Sequence, residues 1–340
     1  MAAAGEQPTH TSTPHESTTL LPFMNSISRY SVWFHASSLT CCLCASALFY
    51  LLSQPVAAAP RTFNSPEDAV RALSTAVNTR DINALGDILG PSINDLRSPD
   101  PVQARNELTT FAANLAASNH LSHVSGGRCI LETGQDRWPF PIPIVRTNGS
   151  WFFDTEAGKE ELLNRRIGND ELEALQSLRA GAQAQREYAS RDHNGDEVLQ
   201  YAQKIISTPG KKDGLYWSPE IDGEISPLGP AFAEAQAEGY LKQPGTQNAP
   251  QPFHGYYFRI LTSQGKHAPG GAYDYIINGH MLAGFAFLAW PARYGVSGIM
   301  SFIINQQGKV YQRNLGPDTD SLAKQIKTYD PDPDWTVSKD

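Results

Sequence analysis

Apolar residues recur at three- and four-residue steps through the middle of the chain. Leu172, Leu175, Leu178, Ala182 and Ala189 fall on one helical face. Glu171, Glu173, Gln176, Arg179, Gln183 and Arg186 lie between them and face water. Asn169 or Asp170 supplies a cap for the first turn. The preceding stretch TEAGKEELLNRRI, from Thr155 to Ile167, is also helical and leads into it. The run stops at Asp192-His193-Asn194-Gly195, since Asn-Gly favours a turn. A second short helix and an aromatic-tipped loop ending at Trp217 follow. So narrow an apolar stripe needs a surface to lie on. The pattern of the last third supplies one, as expected strands over 254–261, 281–289, 298–304 and 309–313. A short helix is expected at 231–238.

The front of the chain has a different rhythm. Ser65-Pro66-Glu67-Asp68 joins a capping serine, a proline at the first helical position and two acids. Ala69, Leu73, Ala76 and Val77 make its buried face. Asp81 opens a second helix bearing Ile82, Leu85, Ile88 and Leu89, which Gly90-Pro91 ends. Asp100-Pro101 opens a third, through Leu108, Phe111 and Leu115. The period then changes to strands over 128–133 and 142–147, and Asn148-Gly149 turns the chain into Trp151-Phe152-Phe153. In Trp138-Pro139-Phe140-Pro141-Ile142-Pro143, alternate prolines bar a central strand. That segment is either an aromatic-proline lip on a cleft or a stiff edge that blocks aggregation. The expected class is α+β. The expected divisions are 1–58, an N-terminal extension with a signal segment; 59–154, helices with a curled antiparallel sheet; and 155–340, a long helix on an antiparallel sheet.

Composition narrows the function classes. Of 340 residues, 40% are hydrophobic and 18% charged, which is globular. The net charge of −8 comes with no basic block, which argues against nucleic acid or an anionic membrane surface as the main partner. From Met24, one positive charge, Arg29, precedes an apolar run over 32–52 and then Val56-Ala57-Ala58. Those are the parts of a secretory signal cleaved after Ala58. Left uncleaved, the run is long enough to anchor the chain in a bilayer. Small residues and cysteines dilute it and favour cleavage. Cys41, Cys42 and Cys44 would leave with it, so Cys129 is then the only thiol and no internal disulfide forms. The expected location is periplasmic or extracellular.

Several residues have the type and spacing for chemistry. Asp192, Asn194 and Asp196 alternate as in a calcium loop, although Glu197 and Gln203 stand where such a loop wants Gly and Glu. A self-capped turn explains the same residues. Lys211 and Lys212 precede Tyr216 and Trp217, a charged turn with aromatics that can grip a carbohydrate or peptide, as can Trp138. Asp213, His254 and Tyr256 are the candidates for acid-base work, His254 and Tyr256 projecting to one side of a strand. There is no Gly-x-Ser-x-Gly elbow, phosphate loop, dinucleotide fingerprint or paired-Cys zinc site.

SPEDAVRALSTAVNTRDINALGDILG and the hairpin after it resemble the nuclear-transport-factor-2-like, cone-shaped fold over residues 63–154. REYASRDHNGD, STPGKKDGLYW, FHGYYFRILTSQG, APGGAYDY and PARYGVSGIMSF, with WPFPIPIV and LNRRIG, resemble the bacterial family of domain of unknown function 2950. That resemblance implies an exported envelope protein and no particular activity. The order of Gly255, Tyr256, Phe258, Pro291, Gly295, Phe302, Asn305, Gly308 and Val310 after a long helix is similar to the heads of type IV pilins and type II secretion pseudopilins. A pilin's hydrophobic helix starts its mature chain, whereas here a whole domain precedes the helix. The expectation is therefore a non-catalytic binding or assembly module with an envelope protein or polysaccharide as partner, and no cofactor unless calcium. The rivals are a hydrolase using Asp213, His254 and Tyr256, and a calcium-stabilised structural protein.

Overall fold

The fold is taken from a computed structural model that describes residues 59–124, 126–221, 223–240 and 251–339. The expected signal segment, 1–58, lies outside the described residues. Among those residues no helix is long and apolar enough to cross a membrane.

Among the described residues three helices come first, α1 (Pro66–Thr79), α2 (Ile82–Leu89) and α3 (Pro101–Ala117), with a 3-10 turn over Pro91–Leu96. Their starts are those the sequence marks. Ser65 Oγ accepts the Asp68 N–H, Asp81 Oδ1 the Ala84 N–H, and Asp100 Oδ1 the N–H groups of Val102 and Gln103. An antiparallel sheet follows: β1 (Asn119–Val124), β2 (Arg128–Thr133), β3 (Trp138–Pro139), β4 (Ile144–Thr147) and β5 (Ser150–Phe153), in the order β1-β2-β4-β5 with β3 paired to β2. Both central residues of the hairpin before β5 have positive φ, Asn148 at 51° and Gly149 at 85°, the twist that Asn-Gly tolerates. Leu73, Val77, Leu131, Ile144 and Phe153 form the front core.

The long helix, α4, runs unbroken over Thr155–Tyr188. Its cap is Asp154, whose Oδ1 accepts the Ala157 N–H. This corrects the expected cap at Asn169 or Asp170: the earlier helical stretch fuses with the later one, so both residues lie in mid-helix. Leu162 packs on the front core, and Ala174, Leu175, Leu178, Ala182 and Tyr188 on the rear one. The buried stripe is rotated from the expected one, since Leu172 is 56% exposed and Gly181 and Gln185 are buried instead. Glu171 does not face open water either. Its Oε1 accepts the backbone N–H groups of Ile299 and Met300, each at 2.9 Å.

No second helix follows the turn. Residues 198–206 follow an irregular path, with Tyr201 bridged to Met281 and Ile206 to Tyr216. The buried Gln185 side chain donates to Ala202 O and accepts from Ala202 N, each at 2.8 Å. It thereby takes the backbone groups a helix would use.

After α5 (Gly229–Glu238) comes β6 (Tyr256–Leu261). Two small ladders follow, β7 (Ser263–Gln264) with β8 (Tyr273–Asp274), and β9 (Ile276–Ile277) with β10 (His280–Met281). Then come β11 (Ala286–Pro291), β12 (Met300–Asn305), β13 (Val310–Asn314), α6 (Thr319–Gln325) and β14 (Thr336–Val337). The rear sheet runs β14-β13-β12-β11-β6, antiparallel throughout. Helix α4 lies on β11 and β12, and α6 also packs on β11. All six residues of β11 are buried, so the strand carries no polar alternation. A Cβ on Gly181 would sit 3.2 Å from the Phe287 ring, which measures how closely helix and sheet approach. The class is α+β.

Candidate functional site

The three acid-base candidates are each held by a different set of partners. Asp213 Oδ1 accepts the Thr208 N–H at 2.7 Å, and its Oδ2 accepts from Lys204 Nζ at 2.7 Å and Thr208 Oγ1 at 2.8 Å. Burial raises this carboxyl, but the Lys204 and Thr208 donors outweigh it and hold it at about 2. His254 Nε2 lies 3.1 Å from Glu238 Oε2, and its backbone N–H donates to the Tyr240 hydroxyl at 3.2 Å. The Tyr256 ring is fully buried, and its hydroxyl donates to Met300 O at 2.9 Å. Burial pushes that phenol far up, so it serves as a hydrogen-bond donor and not as a base. The geometry gives these side chains three structural tasks and no shared point.

The aromatic turn folds inward. Tyr216 is buried and stacks on Phe232 with ring centres 3.9 Å apart. Trp217 is buried, donates from Nε1 to Glu224 O at 3.2 Å, and has Lys212 Nζ 5.5 Å above its ring. Lys212 also pairs with Glu224. Lys211 is exposed. The His193 ring packs 4.5 Å from Tyr188 and 5.1 Å from Trp217, and burial lowers its pKa. These side chains cover the end of α4 and leave little aromatic surface for a ligand.

The alternating acids before them cap their own turn. Asp192 Oδ1 accepts the N–H groups of Asn194 and Gly195, and Oδ2 that of Glu197. These bonds, the Glu197 one foremost, hold the carboxyl below its ordinary range. Asp196 Oδ1 accepts the Val198 N–H, its Oδ2 accepts Asn194 Nδ2, and His280 Nδ1 lies 3.4 Å away. Glu197 has φ 63°, the left-handed conformation that a glycine would adopt at lower cost. Among the described residues no group of three His, Cys, Asp or Glu side chains is placed to hold a metal ion.

Trp138 remains at the surface, 61% exposed on β3. The segment behind it is fixed on three sides. The Phe140 N–H donates to Leu131 O at 2.7 Å, and its ring stacks on Phe111 at 5.0 Å. Arg165 of α4 donates from Nη1 to Pro139 O at 3.0 Å. Gly158 of α4 lies so close that a Cβ there would meet Pro141 O at 2.6 Å. Strand alternation would put Trp138, Phe140 and Ile142 on one face, but the strand ends at Pro139: Ile142 is buried and Phe140 packs on the front core, while Trp138 stays exposed, which yields a platform with one aromatic face free.

A buried polar cluster joins the two cores, and two of its members, Asp100 and Asp170, were marked in the sequence, both as helix starts. Asp100 is fully buried. Besides the two α3 N–H groups it accepts the Tyr240 hydroxyl at 2.7 Å and the Gly255 N–H at 3.4 Å on Oδ2. Gln103 takes Ser98 Oγ on its Oε1 and donates to Asp170 Oδ1. Asp170 is fully buried, and its Oδ2 has no hydrogen-bond partner. Burial drives this carboxyl up to about 8, against a smaller opposing effect of the Gln103 bond. A polar residue on the buried side of an amphipathic helix is the one signal in the sequence that Asp170 is buried.

Fold and site together define an α+β protein of two cores strung on one helix, with a fixed aromatic platform and no assembled catalytic constellation among the described residues. The family model of Protein of unknown function (DUF2950) matches residues 60–337, and the chain belongs to that family. No curated protein and no solved structure matches it.

Proposed function

We propose that this chain is a non-catalytic binding module of the bacterial envelope, exported by its N-terminal segment and gripping an envelope polysaccharide through Trp138. The observation that carries the reading is the exposure of Trp138 on a segment immobilised from behind. An indole face presented without further ordering loses little entropy on contact and covers the apolar face of a sugar ring well. The separate tasks of Asp213, His254 and Tyr256 weigh against the hydrolase reading.

The test incubates the purified protein with isolated peptidoglycan sacculi, separates pellet from supernatant, and assays the supernatant for released sugar. The expected result is protein in the pellet with no soluble fragments. Protein left in the supernatant overturns the binding reading. Steady release of soluble fragments overturns its non-catalytic half and restores the hydrolase.

A further inference from the structure

Asp170 sits in α4 between Leu162, which packs on the front core, and Ala174, which packs on the rear one. It is fully buried, and one carboxyl oxygen lacks any hydrogen-bond partner. The backbone of the rear half rests directly on that oxygen. A Cβ added to Gly255 would lie 2.5 Å from Asp170 Oδ2 and 2.8 Å from Ser297 Cβ, and Gly255 has φ 74°. No other residue fits that turn without moving the carboxyl. The neighbouring Asp100 is just as buried but accepts four donors. Of the two acids, only Asp170 is left with an unsatisfied oxygen.

We propose that Asp170 is a proton-operated latch between the two cores: protonated, it lets α4 seat against α3 and the Gly255 turn, and loss of the proton opens that junction while both cores persist.

The groups around it favour this behaviour. From α3 and its start come Gln103, Glu107 and Asp100, and from α4 itself Arg166 and Glu171. From β6 comes Tyr256, and from the loop before β12 comes Ser297. Among these groups the cation is Arg166, which is already held by both Glu107 oxygens and Leu96 O. The remaining charged side chains are acidic. A carboxylate enclosed this way carries a desolvation cost that the Gln103 bond and Arg166 offset only in part. Burial, with lesser effects of Glu107 and Asp100, therefore raises the folded value to about 8 from the ordinary 3.8. The sign follows. The stability tied to this proton is fully present below the unfolded value and is lost as pH rises through about 8. The loss concentrates at the junction because water reaches Asp170 there without entering either core.

Hydrogen exchange on the purified protein tests this, with each rate corrected for the intrinsic effect of pH. Between about pH 6 and about pH 9, the Gln103, Gly255 and Tyr256 amides should lose about a hundredfold in protection, while Phe287 and Leu288 keep theirs. Asp170→Asn, neutral at both pH values and similar in shape, should abolish the loss and raise the melting temperature at the higher pH. Equal protection in the wild type at both values overturns the proposal without need of any variant. A D170N protein that keeps the pH-dependent loss overturns it too.

Discussion

The Tyr240 hydroxyl donates to Asp100 Oδ2 at 2.7 Å, joining residues 140 positions apart. Asp100 Oδ1 meanwhile caps α3, so one carboxyl holds a helix start in the front half and a loop of the rear half. Tyr240→Phe deletes the donor and leaves the ring against Phe253 and His254. The expected loss is about 1.5–3 kcal/mol, the range for a hydrogen bond to a charged group. Urea unfolding at neutral pH reads it. A loss below about 0.5 kcal/mol would mean that the bond does not tie the halves together.

Gly158 lies inside α4, where alanine would ordinarily stabilise by about 1 kcal/mol. Here a Cβ would meet Pro141 O at 2.6 Å and Ile142 Cα at 2.7 Å, both backbone atoms. Gly158→Ala should therefore destabilise, by about 1–3 kcal/mol as overpacking does. It should also loosen the Trp138 platform, which calorimetry and the emission spectrum of Trp138 would both register. A stabilised variant would show that helix and platform are not in contact.

The turn over Asp192–Asp196 closes on its own backbone donors. Its melting behaviour should then be the same in millimolar calcium and in excess chelator. A rise of several degrees with calcium would instead make Glu197, with φ 63°, a tolerated stand-in for the glycine of a calcium loop.

Much of the architecture could be read from spacing and caps. Ser65, Asp81 and Asp100 begin their helices because each side chain has N–H groups to accept. The Asn148-Gly149 hairpin follows from two positive φ values that this pair tolerates. What escaped depends on contacts distant in sequence. Leu172 has the spacing of a core residue, yet the rear sheet meets α4 slightly to one side, and Leu172 is left exposed. β1 carries His120, Ser122 and His123 and has Val124 as its one β-branched residue, so pairing with β2 more than propensity makes it a strand. The path of 198–206 is tied at Ala202 to Gln185, a reach that no local pattern reveals. The grouping of Asp100, Gln103, Asp170, Tyr240 and Gly255 needs three separate segments to meet. At Trp138 the alternating prolines did mark an edge, since β3 pairs only with β2 among the described strands.

The most direct measurement compares wild type and Trp138→Ala for retention on isolated peptidoglycan sacculi, after circular dichroism has established that both are folded. Losing an exposed aromatic anchor should weaken retention by about tenfold or more while the melting temperature stays within a degree or two. Equal retention of the two proteins would contradict the account, because the platform would then be no more than a rigid edge of the front sheet.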